Sequence, residues 1–289
     1  MSKKYEFTGE TKDVCGRTLH RIRAMVSFAN VKDGDLGGWI ETENNLSHDG
    51  NAWVSDDAVV FDNAKVLDNA FVSGSACVSD NAEILDYAKV CGGASVFDDA
   101  KVCGSAIVRD NAMLSDSAVV GGSSKIYGQA RVSCNAMVFG DAVVSGYAGV
   151  HGDAEVSGDA SVYDCALVGG KARVCGNASV SGYADVSGHA VVCGYAVVSC
   201  NRDFIVFKNC WSSMRWFTYT RSNKMWKVGC FHGTGDELIK KAYADSETSG
   251  VCYEAVVRAM ETIEAAMKKQ EESRWLELKG ITNQLVTKE

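Results

Sequence analysis

The chain has 289 residues, a formal net charge of −8, 46% hydrophobic and 23% charged residues, 29 glycines, 12 cysteines and no proline. That apolar share belongs to a folded protein and excludes wholesale disorder, and no run of about 18 consecutive apolar residues could cross a membrane as a helix. The acidic balance excludes general nucleic-acid binding, and Met1-Ser2-Lys3-Lys4-Tyr5-Glu6 lacks the apolar core of a signal peptide, which points to the cytoplasm.

Residues 1–50 are non-repetitive, with 7 basic and 8 acidic side chains. They contain Leu19-His20-Arg21-Ile22-Arg23-Ala24, Phe28-Ala29-Asn30-Val31-Lys32, Gly34-Asp35-Leu36-Gly37-Gly38-Trp39-Ile40 and Asn45-Leu46-Ser47-His48-Asp49-Gly50. Gly37-Gly38 permits a close backbone approach or a sharp bend. Trp39 and Ile40 are then expected to cover the apolar end of the next element, with Asp35 capping exposed backbone donors. This segment is expected to be a cap.

From residue 51 to 200 the chain repeats every six residues. Alanine stands at 52, 58, 64 and every sixth position to 196, with one departure, Ser124. Two residues after each comes Val, Ile or Leu, from Val54 to Val198. Such periodicity decides the fold before anything else. In a strand, residues i and i+2 share a face, so Ala and Val point inward. The positions after Val are mostly Asp, Gly, Asn or Ser, which tolerate the backbone angles of a corner. Three strand-plus-corner units closing a triangle make an 18-residue coil. About eight coils at ~4.8 Å spacing give a rod about 40 Å long. Proline would remove a ladder donor wherever it entered a coil, which accounts for its absence.

The rod holds 8 basic and 17 acidic residues. Duplex DNA of that length would carry over ~20 charges, so the net of nine is poor mimicry. Asp62, Asp80, Asp98 and Asp116 fall 18 apart and stack as one column, read first as corner chemistry and second as a mimicry or cation-binding column. Trp53, Phe61, Leu67, Phe71, Leu85 and Phe97 point outward in the first half of the rod. A contiguous apolar patch of this kind marks an oligomer interface, or else lies beneath the N-terminal segment.

The period resembles the left-handed parallel β-helix of hexapeptide-repeat proteins, and the handedness is implied by that resemblance. The cap motif with Trp53-Val54 resembles the N-terminal cap of YdcK-like hexapeptide-repeat proteins of bacteria and prophages. The resemblance covers the cap and rod, about 200 residues. It implies trimeric packing, and it raises acyltransferase activity at subunit interfaces, where a histidine base sits beneath a loop expelled from the coils. Here the period is unbroken. His151 and His189 stand on a strand and a corner, without the walled pocket and orienting partner a general base needs. The 12 cysteines contain no C-x-x-C pair, so no metal site is expected. Cys175 and Cys193 lie one coil apart, and reduced thiols are the expectation.

Residues 201–289 form the third region, and 201–235 hold 6 basic residues against 1 acidic. Residues 203–208, 215–220 and 225–231 read as three strands. Thr234-Gly235-Asp236-Glu237 reads as a capping box opening a helix through about Ala244. Apolar Cys252, Val256, Ala259, Met260, Ile263, Ala266 and Met267 give a second helix over roughly 249–270. Trp275, Leu278, Ile281 and Leu285 read as a weaker helix or a partner segment. Arg215, Arg221, Lys224 and Lys227 offer charge and Trp211, Tyr219 and Trp226 offer rings, the makings of a site for a phosphate and a stacked base. The plainer alternative is a sheet whose aromatics pack on the helices.

The expected fold is therefore mainly β: a left-handed parallel β-helix of about eight coils, a small N-terminal cap over 1–50, and a C-terminal α+β region of three strands and two helices. The first functional expectation is a non-catalytic, oligomeric binding scaffold without metal or cofactor. Its partner would be its own copies, foremost as a homotrimer, and a host protein or a nucleotide-type anion, as in phage counter-defence. An interfacial acyltransferase and a purely structural assembly element are the alternatives.

Overall fold

The computed structural model describes residues 3–211 and 214–286. Two antiparallel strands, β1 (Tyr5–Val14) and β2 (Arg17–Ala24), lead into β3 (Leu36–Ile40). Two-residue strands then recur every six residues from β4 (Trp53–Val54) to β28 (Val197–Val198). Each pairs in parallel with the strand 18 residues away, as Lys89 does with Phe71 and Ile107. The result is a three-faced parallel solenoid.

Its core is the sequence repeat made solid. Every Ala and Val of the repeat is fully buried, and each buried valine contributes about 2 kcal/mol. Ser124 replaces an alanine without leaving a bare hydroxyl, because its Oγ donates to Gly121 O at 2.8 Å. The corner residue, every sixth position from Asp56 to Gly194, adopts positive φ throughout. Only Gly, Asp and Cys134 occupy it, since other side chains crowd the following carbonyl there. The aspartates carry a second function. The Asp56 carboxylate accepts from Gly74 N at 2.9 Å, Asp98 from Asp116 N at 3.0 Å and Asp116 from Cys134 N at 2.9 Å. Each supports the corner one coil on, and within the acidic column Asp80, Asp98 and Asp116 all serve this corner chemistry.

The solenoid has about nine turns, one more than the repeat supplies. The extra turn comes from the non-repetitive segment. Trp39 and Ile40 pair in parallel with Val59 and Val60, and Leu46 bridges to Val66, both at an offset of 20 residues. The Gly37-Gly38 expectation holds: a Cβ on Gly37 would lie 2.5 Å from Ile22 and 2.7 Å from Val54 O, and one on Gly38 2.8 Å from Ala58 O. Ile40 closes the bore, while Trp39 turns outward into a separate cluster with Leu19, Val59 and Phe61. Asp35 caps a local donor, Lys32 N, at 2.7 Å. Buried Asn45 donates to Asp62 O and Ala64 O, which occupies edge carbonyls of the coil above.

At the other end, residues after Cys200 satisfy the last coil. Asp203 accepts from the backbone N–H of Ser199 and Cys200. Thr218 Oγ1 accepts from Val191 N at 2.9 Å and Ser222 Oγ from Val197 N at 2.7 Å. Phe204 and Val206 pack on the core.

The tail holds a four-stranded antiparallel sheet and two helices, with one more strand than the sequence suggests. Its strands are β29 (Phe204–Lys208), β30 (Trp216–Thr220), β31 (Met225–Val228) and β32 (Phe231–Gly233). The segment 225–231, read as one strand, is a hairpin bent at Gly229, whose φ is +57°, with Lys227 opposite His232. Helix α1 (Gly235–Asp245) opens on the expected capping box. Helix α2 (Glu247–Val286) runs 40 residues without a break, where the sequence suggests two pieces; the side chains of Leu278, Ile281 and Leu285 lie outside the described residues. The chain divides into two compact units. One comprises residues to 207 with 216–223, and the other 208–215 with 224 onward.

Candidate functional site

The outward apolar patch falls into two parts. Trp53 is only 2% exposed and Phe61 6%. Trp53 meets Phe28 and Tyr5 edge-on, with ring centroids 5.4 and 6.5 Å apart, and Phe61 packs with Leu19 and Trp39. Both lie beneath the N-terminal segment, the alternative that alternation alone leaves open. Leu67, Phe71, Leu85 and Phe97 remain half-buried on the coils.

The solenoid histidines sit in unwalled positions. His151 is exposed just after the strand Gly149–Val150 and lies over Gly169, where an added Cβ would come within 2.4 Å of Nε2. His189 stacks on Trp216 at 4.5 Å and 21°, part of the covering of the last coil. A groove of about 990 Å³ near the N-terminal end is lined by Arg17, Glu41, Asp62, Lys65 and Glu83 among others. Several of its charged groups already have partners: Arg17 is ion-paired with Asp62 and Glu41, Glu41 accepts from Asp62 N at 2.7 Å, and Glu83 pairs with Lys101.

The second unit holds a cleft of about 570 Å³ lined by Arg215, Gly229, Cys230, Phe231, His232, Lys241 and Asp245. Local sequence builds it. The Gly229 bend ends β31 and turns Cys230 and His232 outward. Arg215 lies against this turn, its Cδ 3.4 Å from where a Cβ on Gly229 would stand, an ordinary van der Waals separation. Lys241 and Asp245 are four residues apart on α1 and so share a face. The His232 imidazole titrates below its ordinary value because it is partly desolvated and because Lys227 adds positive charge nearby. Arg215 and Lys241 against Asp245 leave one positive charge in excess. A guanidinium fork beside an ammonium group recognises carboxylate or phosphate, and half-buried Phe231 adds an apolar wall.

Of the residues singled out from the sequence, Arg215 lines this cleft and Lys227 acts on it electrostatically through His232. Lys224 is exposed in a turn at φ +53°. Tyr219 and Arg221 belong to the first unit, where Tyr219 is buried and Arg221 N donates to Asp203 O at 2.8 Å. Trp226 is buried in the second unit, and half-buried Trp211 meets Tyr253 edge-on at 6.5 Å. Tyr219 and Trp226, expected as stacking rings, are thus both buried. His232 and Lys241 escape the sequence reading because His232 falls beyond a strand read as continuous to Phe231. Lys241 reads as an ordinary solvated helix residue.

None of the cysteines forms a disulfide among the described residues, and no group of three potential metal ligands occurs among them. Burial raises the thiols of Cys77, Cys91 and Cys103. Among the described residues no helix is long and apolar enough to cross a membrane. No protein-family model matches the chain, and no curated protein matches it significantly.

Proposed function

We propose that the chain is a non-catalytic binding scaffold, a solenoid of the YdcK-like hexapeptide-repeat type that acts in the cytoplasm and presents an anion-binding cleft. The observation that carries this reading is the convergence of Arg215, His232 and Lys241 on one 570 Å³ cleft. The solenoid histidines, by contrast, pack on a glycine and a tryptophan. The ligand class is a small anion of nucleotide type, or a partner's acidic side chain, as a bacterial or prophage counter-defence factor would sequester. Half-buried Leu67, Phe71, Leu85 and Phe97 support self-association, foremost as a trimer.

Thermal unfolding with millimolar ATP or a cyclic dinucleotide tests the cleft. Binding to the folded state raises the melting temperature by mass action. The shift is expected to be abolished in Arg215→Ala/Lys241→Ala, with the ligand-free melting temperature nearly unchanged, because both side chains are exposed. The absence of a shift with either nucleotide would refute an anion site of this class.

A further inference from the structure

The solenoid carries a second feature that neither its folding nor the cleft uses. Tyr127, Tyr147, Tyr163 and Tyr183 climb four successive coils. They alternate between two columns that run side by side along one corner. Backbone ladders fix the columns: Tyr127 N donates to Val144 O and Tyr163 N to Val180 O at 3.0 Å, and Tyr147 N to Asp164 O at 2.7 Å. In both columns the coil between tyrosines holds a small residue, Ser145 or Cys165. Each column therefore presents a ring every second coil, and the two columns are staggered by one coil.

Three of the four rings are open to solvent, and Tyr127 is half-buried. Tyr147 is 64% exposed, Tyr183 83% and Tyr163 37%. Their hydroxyls are partly tethered along the rod axis. Gln129 Nε2 donates to Tyr147 Oη at 3.3 Å, and Ser179 Oγ to Tyr163 Oη at 3.2 Å. The Arg109 guanidinium lies 4.6 Å over the Tyr127 ring and closes one end.

We infer that this tyrosine ladder is a binding strip for an extended, neutral β-1,4-linked glycan. Two coils span about 10 Å, nearly the distance over which such a chain repeats its two-sugar unit. The C–H face of every second sugar would stack on a ring of one column, and the flipped sugars between would reach the other column. Sugar hydroxyls would meet the Tyr, Gln129 and Ser179 polar groups. A single-stranded nucleic acid fits less well, because such ligands need a cationic groove beneath their stacked bases and the neighbouring corners carry Asp110 and Asp164.

Native affinity electrophoresis in gels containing hydroxyethylcellulose, with dextran gels as control, tests the strip. The wild-type chain is expected to be retarded by hydroxyethylcellulose and not by dextran. Tyr147→Ala/Tyr183→Ala should weaken retardation at least tenfold. Tyr87→Ala/Tyr195→Ala removes two equally open tyrosines (64% and 78% exposed) that stand six coils apart in another column, and it should change nothing. An unretarded wild type, or equal loss in both double variants, overturns the proposal. So does a fall in sedimentation mass for Tyr147→Ala/Tyr183→Ala, which would assign the ladder to contact between copies.

Discussion

At the residue scale, Lys4 shows what sealing the solenoid costs. Its side chain enters the N-terminal end, where Nζ donates to Ala52 O at 2.9 Å and sits 5.2 Å from the Phe28 ring centroid. Desolvation outweighs the attraction of Asp49 and brings its pKa down from 10.5 to about 8. Below pH 8 the folded and unfolded chains both hold the proton, and the burial penalty, on the order of 3 kcal/mol, is fully present and constant. Between pH 8 and 10.5 the unfolded chain binds more protons than the folded one, so stability rises and the penalty disappears. Urea midpoints of wild type and Lys4→Met at pH 7.5 and pH 10 measure this. The wild type is expected to gain on the variant as pH rises. Parallel behaviour would show that Lys4 stays charged.

At the element scale the corner governs. A Cβ on Gly140, whose φ is +76°, would lie 2.9 Å from both N and O of Gly158 in the next coil. Aspartate occupies the same conformation at Asp56 and Asp98 because its carboxylate accepts the next corner's N–H. Gly140→Ala should therefore cost about 1–2 kcal/mol. Gly140→Asp should cost about 1 kcal/mol less than that, since it adds a charge-assisted hydrogen bond. Equal losses for both, read by urea denaturation, would refute the acceptor role. This chemistry was legible in the sequence because every coil repeats it: period six located the strands, and Gly or Asp marked the bend. Elements that occur once were harder to read. The turn built from Trp39, Ile40 and Leu46 runs at an offset of 20 rather than 18 and so falls outside the period. Alternation in Trp216–Thr220 suggests one open face, and so offers Tyr219 as a ligand residue, whereas both faces of the strand are covered and Tyr219 is buried. The Gly229 bend split a strand whose composition reads as continuous, and it carried His232 into the cleft.

At the scale of the whole molecule, a solenoid is only as soluble as its ends. Each terminal coil would present unpaired strand donors or acceptors to another chain. The N-terminal end is closed by backbone pairing through β3 and by the Asn45 amide. The C-terminal end is closed partly by hydroxyls, those of Thr218 and Ser222, which lie beyond the repeat but within the first compact unit. This division predicts different behaviour for two truncations. A chain ending at residue 200 keeps every repeat yet leaves Val191 N–H and Val197 N–H unpaired and strips Phe204 and Val206 from the core, so it should aggregate. A chain ending at residue 223 keeps those partners and should remain a defined species with the thermal stability of the intact solenoid. Size-exclusion chromatography with light scattering separates the outcomes. If the 200-residue chain stays as well behaved as the longer one, the edge donors at that end do not need their hydroxyl partners, and the composition of 201–223 must serve something other than closing the rod.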